Sequence, residues 1–557
     1  MGKGFGSKDK EQNKKTYKDY HAFLKQIIKI TKRKKNNPKV ICQYIEDNRY
    51  LLDRNFAQFL QHWSDKLFRE FLQNLKIGIA TKKDGDKTIE IVQSIYEFST
   101  FIQKCSLDEE NIFIIALTGY EAVLKIFRLP LFPREWADIQ FRFGTLYSEH
   151  NSGDRSDNIE RAIYFYKESL RVFRFSYYPY EWTHAQVCLG DNYEKRIVGE
   201  LADNIEQTIF HYKQALKVVK QLNNLEKWAS IKTKISLAYQ ERIKGDKSEN
   251  IEIAIDNFKA VLQIASEFSN SELWADTQYN LGVTHKYRIK EQEDKNIEQA
   301  IHHFQESLKI ITRSNSPQKW ATVNYELALI YAKRIRDEKG NNLEQVIHYS
   351  IEALQELDRY INREKWLNIK INLANAYRDR RKSASSEDIE TAIRLYYQVL
   401  EEISNDNAPR EWAILYNNLG IAYSERIQGD KTKNLEKAIQ CYSEALKKIS
   451  CDCFPQEWAN CHVNLGADYV QHNNYSQSDK EKEAENIEKS IFHLSQALQV
   501  FTRRDFSSQW ASIQMIFGIA YRQRIRLYSK QAKDFDMAIH FYTEALKEFT
   551  SENFPEE

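Results

Sequence analysis

The chain has 557 residues, with 81 Lys and Arg against 79 Asp and Glu, so its net charge is only +2. That balance excludes a chain built throughout to neutralise nucleic acid or coat an anionic membrane. It has 42% hydrophobic and 13% aromatic residues but only 17 Gly and 8 Pro. It is therefore ordered, and too short of turn-makers for a many-stranded β protein, which leaves helix.

Seven Cys, odd and sparse, read as reduced thiols and a cytoplasmic location rather than a disulfide framework. The start, MGKGFGSKDKEQNKK, has no apolar core after its charges and is not a secretory signal. The longest apolar stretch, Ile112 to Leu124, is too short to span a bilayer.

In chain order, residues 1–37 form a basic tail, partly disordered or helical. Twelve Lys and Arg stand there against Asp9, Glu11 and Asp19. A tail of this kind is ordinarily a solvated face, and it is the only segment through which nucleic acid or acidic lipid is expected to bind. Residues 38–105 are expected to be an N-terminal helical cap over the first repeat, with Phe56, Phe59, Leu60, Trp63, Leu67, Phe68 and Phe71 at helical spacing.

From residue 106 to 557 the chain repeats. Trp136, Trp182, Trp228, Trp274, Trp320, Trp366, Trp412 and Trp458 stand 46 residues apart, and Trp510 follows after 52. A fixed period of this size marks a solenoid. Eight residues after each Trp comes a small residue (Gly144, Gly190, Ser236, Gly282, Ala328, Ala374, Gly420, Gly466, Gly518), and three further on a ring, such as Tyr147, Tyr193 or His285. These share one helical stripe, the first helix of each unit.

A polar linker and a second helix follow, with Asn or Asp then acidic residues as in Asn204-Ile205-Glu206 and Asn434-Leu435-Glu436. The Asn is read as the N-cap. Pro133, Pro179, Pro317, Pro409 and Pro455, three before a Trp, open first helices. Arg196, Arg242, Arg288, Arg334, Arg380, Arg426 and Arg524 are read as cations at the negative ends of first helices rather than a polyanion ladder. The extra residues before Trp510 fall in the linker near His472–Glu485. The marker Trp residues are expected to be structural, with Trp274→Ala costing roughly 3–5 kcal/mol.

Leu189-Gly190-x-x-Tyr193 and Thr208-x3-Tyr212-x2-Ala215 resemble the two helix motifs of the tetratricopeptide repeat (TPR). The period departs from that family's 34 residues, and the marker Trp lies one turn early. With P-x-E-W, N-L-G-x-A-Y, R-I-x-G-D and N-x-E-x-A-I, the array resembles those of cyanobacterial proteins that carry a caspase-like CHAT protease domain. The resemblance implies an all-α, right-handed α-solenoid of about nine TPR-like helix pairs. It also implies a non-enzymatic protein-interaction scaffold that takes a peptide or protein in its concave groove. The alternative is the sensor half of a CHAT-type protease system whose catalytic domain is absent from this chain. The groove residues it implies are Phe141, Tyr279, Asn280, Tyr325, Asn372, Asn417, Asn418 and Asn464. The Lys that accompanies such Asn in carboxylate-binding TPRs is missing.

Chemistry is not evident elsewhere. GxSxG, HExxH, Walker-type and EF-hand patterns are absent from the sequence, and neither a catalytic residue nor a cofactor is implied. Cys441, Cys451, Cys453, Cys461 and His462 have loose spacing for zinc, and Cys461 occupies a core column, so no metal is expected. The chain ends at Pro555-Glu556-Glu557, repeating the Pro-x-Glu that stands before Trp136, Trp412 and Trp458; either a Trp is expected to follow, or the array stops on an uncapped helix. The last helix pair is therefore expected to expose Ile539, Tyr542 and Leu546, available for self-association.

Overall fold

A computed structural model describes residues 15–33, 38–76, 82–103, 109–221, 224–267, 270–334, 339–380, 386–403, 408–475, 480–528 and 532–549. Every regular element among them is helical, and the chain is a TPR-like solenoid of helix pairs. It divides into two compact units, Met1–Asn270 and Ser271–Glu557.

The first unit contains α1 (Tyr17–Arg33), α2 (Pro38–Asp47), α3 (Arg54–Lys76), α4 (Lys82–Ile102) and α5 (Glu109–Leu124). Three pairs follow: α6 (Pro133–Glu149) with α7 (Arg155–Ser169), α8 (Pro179–Glu194) with α9 (Leu201–Gln221), and α10 (Leu225–Glu241) with α11 (Lys247–Glu267). Helix α1 is amphipathic: Tyr20, Phe23, Leu24 and Ile27 are buried in one cluster with Ile41, Ile45, Phe56, Phe59 and Leu60. The same cluster runs through Tyr120 of α5 to Phe143 of α6, whose rings meet edge-on at 5.6 Å. The basic residues 1–14 lie outside the described residues.

The second unit holds six pairs. They are α12 (Ser271–Lys286) with α13 (Glu293–Leu308), α14 (Pro317–Lys333) with α15 (Lys339–Leu354), and α16 (Arg363–Asp379) with α17 (Ser386–Leu400). Then come α18 (Pro409–Glu425) with α19 (Lys431–Leu446), α20 (Pro455–Tyr475) with α21 (Lys480–Ala497), and α22 (Ser507–Tyr528) with α23 (Ala532–Leu546). Part of the inserted segment extends α20, which has 21 residues against 17 in α18. On α23, Ile539 and Leu546 are exposed, but Tyr542 is half-buried against Gly518. Residues 550–557, with their Pro-x-Glu, lie outside the described residues.

Proline opens α6, α8, α14, α18 and α20 at the predicted positions. Its locked φ suits a first turn, where no donor is lost. The small-residue column lets a ring of the partner helix lie on the backbone. A methyl on Gly144 would sit 2.7 Å from Tyr166, and one on Gly282 would sit 2.6 Å from Phe304. Those second-helix rings, with Tyr212, Phe258, Tyr396 and Tyr442, are among the largest fully buried side chains. The marker Trp residues are only half-buried. Where the second helix carries such a ring, the ring rather than the Trp is the centre of the pair; α15 has Ser350 and α21 has Leu494 in that place.

Two linker readings need correction. The Asn of N-x-E is not the N-cap. Where the linker carries Gly-Asp, the Gly takes φ of +79 to +84 (Gly153, Gly245, Gly429), a region open mainly to glycine. The Asp after it then caps: Asp154 accepts from the Ser156 N–H, Asp246 from Glu249 and Asp430 from Lys433. The Asn lies a turn inside and its amide donates back to linker carbonyls. Asn204 reaches Val198 O at 3.0 Å and Arg196 O at 3.2 Å, and Asn434 reaches Gln428 O at 2.9 Å.

The Arg column, likewise, does more than face a helix dipole. Arg196 grips Glu160 with Nε at 2.6 Å and Nη2 at 3.1 Å, 36 residues back on the previous second helix. Arg242 with Glu206, Arg334 with Glu298 and Arg426 with Glu390 repeat this fork at the same separation. Only arginine's planar fork matches a carboxylate in this way. Each guanidinium also covers a ring of its own unit, such as Tyr193 at 5.6 Å. Within each compact unit the column therefore clamps one helix pair to the next.

Candidate inner face and its neighbours

Positions are counted here from the marker Trp of each unit. In unit 1, Phe141 (+5) is buried, with its ring 5.2 Å from Tyr166 and 4.8 Å from His184. It packs α6 against α7 and α8. Beside it Arg142 (+6) donates from Nε to Tyr96 Oη at 3.1 Å, and that phenol donates to Asp138 (+2). Lys234 (+6) pairs with Asp191 (+9) of the preceding first helix.

In unit 2, Tyr325 is buried among Ala321, Ala328, Leu357 and Ile369, while Tyr279 is half-buried, its ring 5.9 Å from Phe304. Desolvation raises the pKa of both phenols. Asn280 and Asn372 are half-buried, and the Asn372 amide donates to Asn368 O at 2.8 Å on its own helix. Lys286 (+12) meets Glu326 (+6) at 2.8 Å, with both side chains little exposed. Burial opposes the Lys286 charge, but Glu326 outweighs it and the ammonium's pKa is raised.

The remaining sequence-derived positions, Asn417, Asn418 and Asn464, join Asn375 in contacts that span three successive first helices. Asn418 (+6, α18) donates to Asn375 Oδ1 (+9, α16) at 3.2 Å, and Asn464 (+6, α20) donates to Asn417 Oδ1 (+5, α18) at 2.8 Å. Further along, Ser424 Oγ donates to Asp468 Oδ1 at 2.7 Å. Asp468 is buried and its Oδ2 has no partner among the described residues, and burial pushes its pKa up to about 7. Asn375, Ser424, Asp468, Lys286 and Glu326 were not singled out from sequence. They meet between different columns, 40 to 47 residues apart, so no single column signals them.

The cysteines divide. Cys461 is buried with Ala413, Ala445 and Ile449, and Cys441 lies in a different apolar cluster. Among the described residues no group of three or more His, Cys, Asp or Glu is placed to hold a metal ion. No helix there is long and apolar enough to cross a membrane.

A second interior column carries titrating rings. Tyr193 stacks on His211, His285 on His303, and Tyr469 on His493. His211 Nδ1 bonds Gln186 Oε1 at 2.7 Å, and His462 Nδ1 bonds His493 Nδ1 at 2.8 Å, one ring donating and one accepting. Burial lowers the pKa of His211, His462 and His493 to about 4. An unfolded chain takes up these protons near 6.5 and the folded chain only near 4, so stability is full above pH 6.5 and falls as pH drops toward 4. Asp468 acts in the opposite sense, losing stability as pH rises from 3.8 to about 7. Urea midpoints of the full chain are expected to fall between pH 6.5 and 4, and more gently in His493→Gln. An equal fall in that variant would remove His493 from the account.

No family model matches this sequence, and no match is found among curated proteins. Among solved structures the chain is similar to a Signal Transduction ATPase with Numerous Domains (STAND) protein with a tetratricopeptide repeat sensor from Pyrococcus horikoshii. That likeness has 12% identity and a TM-score of 0.39, over 82% of this chain and 72% of that one. It is also similar to the Cut9–Hcn1 hetero-tetramer of APC/C (13% identity, TM-score 0.30, 90% and 98% covered). A third is Naa15/Naa10 bound to HypK-THB (11% identity, TM-score 0.27, 97% and 94% covered). By its own repeating helix pairs, small residue against buried ring, this chain is a TPR-like array.

Proposed function

We propose that the chain is a protein-interaction scaffold that takes a peptide segment along the inner face of α16, α18 and α20. The observation that carries this reading is the row of Asn375, Asn418, Asn417 and Asn464, joined amide to amide across successive first helices. Each Asn side chain offers two donor hydrogens and two acceptor lone pairs, and the inter-helix contacts use only part of that capacity. An amide row of this kind matches the alternating N–H and C=O of an extended backbone, independent of peptide sequence, while half-buried neighbours add selectivity.

The test is a random peptide library displayed on phage, panned against the full chain and then against Asn417→Ala/Asn464→Ala. Enriched peptides should bind the double variant at least about tenfold more weakly, the loss of about 1.4 kcal/mol of hydrogen bonding. No enrichment, or equal binding to the variant, would overturn the proposal.

A further inference from the structure

Unit 1 carries a concentration of charge that the repeat does not require. Residues 213–234 contain Lys213, Lys217, Lys220, Lys227, Lys232 and Lys234 against Glu226 alone, net +5. The equivalent span one period earlier, 167–188, is net +1, and the one after, 259–280, is net −2.

Lys234 is answered by Asp191. Lys213, Lys220 and Lys232 form no ion pair with a carboxylate among the described residues. Lys213 and Lys220 stand two turns apart on one exposed face of α9. Lys213 Nζ donates to Tyr239 Oη at 2.6 Å. Lys232, half-buried on α10, holds its Nζ 5.6 Å from the Trp228 ring centroid. Burial, and then the charges of Lys213 and Lys220, lower the Lys232 pKa. Like charges gathered with no counter-ion raise the energy of the empty site, and an anion recovers it.

We infer that Lys213, Lys220 and Lys232 bind an acidic segment of a protein partner through its carboxylate or phosphate oxygens. Two turns of helix separate Lys213 from Lys220 by about 10 Å, close to one turn of a polyproline II segment, whose three residues at about 3.1 Å each return side chains i and i+3 to the same side. The site therefore fits acidic side chains at i and i+3. Single-stranded nucleic acid fits less well, because it needs open ring faces on which bases stack. Here Trp228 is covered by Lys232, and Tyr239 by Lys213 and by Arg242 at 5.5 Å. These lysines share no residue with the asparagine row, so either proposal can fail while the other stands.

The test uses the full chain and four probes in calorimetry: Glu-Ala-Ala-Glu, the same peptide with phosphoserine for each Glu, inorganic phosphate and oligothymidylate. Either acidic peptide should bind, with affinity falling as salt rises, and the tighter of the two identifies the natural oxyanion. Lys213→Gln/Lys220→Gln should weaken that binding at least about tenfold. This variant is expected to fold, because the repeat already carries Gln305 at the Lys213 position, bonding Tyr331 Oη at 3.3 Å. In 13C-dimethylated protein, the Lys232 resonance should titrate at higher pH once peptide is bound. Failure of both peptides to bind, unchanged affinity in the variant, or tighter binding of oligothymidylate than of either peptide would overturn the inference.

Discussion

Phe304→Ala is expected to destabilise unit 2 by about 3–5 kcal/mol, the usual cost of truncating a fully buried ring. Phe304 has no exposed surface, and its face lies where a methyl on Gly282 would come within 2.6 Å. Removing it opens a void between α12 and α13 that backbone already in close approach cannot fill. Trp274, the marker of the same pair, is half-buried, so Trp274→Ala is expected to cost nearer to about 2 kcal/mol, in proportion to the area it hides. The comparison decides which residue organises the unit, and it reverses the weight that the period of the Trp column suggests. Hydrogen exchange of the full chain would read it locally. Amides of Ser271–Lys286 and Glu293–Leu308 should lose more protection in Phe304→Ala than in Trp274→Ala. A larger loss in the Trp variant would return the centre of the pair to the indole.

The reason for that reversal shows what this sequence makes legible. Helices, their order and their linkers follow from columns recurring every 46 residues, and periodic burial is what such columns record. Both members of the ring-on-glycine contact stand in those columns, Gly144 with Tyr166 and Gly282 with Phe304, but nothing in either column says that they face each other. Asn204 and Asp154 are equally good caps by residue type. What separates them is the positive φ of a glycine one residue before the cap, as at Gly153 and Asp154, which is a property of the turn. Arg196 at a helix end satisfies the dipole argument, and its grip on Glu160 becomes visible only when the previous unit is in place.

The proposed inner face is the hardest to read. Asn417, Asn418 and Asn464 occupy the +5 and +6 columns and so could be singled out. Asn375 stands at +9, which with +2 and +12 the TPR resemblance also assigns to the groove, but its contact with +6, like that of +12 with Asp468 at +10, forms between helix pairs. Where columns cross in this way, residue types vary freely from unit to unit and periodicity carries no signal. The lysines of 213–234 are legible in composition, but that three of them lack a carboxylate partner is a matter of geometry.

Gly420→Val is expected to cost about 3 kcal/mol or more, near the upper end of overpacking penalties. A Cβ at Gly420 would fall on the Tyr442 ring, with Cδ1 2.7 Å away, and Tyr442 is itself fully buried, so the ring has little room to retreat. The repeat sets a limit on this reasoning from within. Ala374 stands opposite Tyr396 and Ser236 opposite Phe258 in the same columns, and all four are buried. A single methyl is therefore accommodated by a shift of a few tenths of an ångström. Gly420→Ala should consequently be close to neutral, since the crowding is offset by about 1 kcal/mol of helix propensity gained. Valine adds two branches that a helix holds in one rotamer, and no shift of that size clears them. The decisive measurement is the cycle with Tyr442→Leu. If the clash is with the ring, Gly420→Val should be much less costly when combined with Tyr442→Leu, with a coupling of about 1–3 kcal/mol. Additive effects would mean that valine acts on α18 itself, through lost helix propensity rather than through the approach of the two helices.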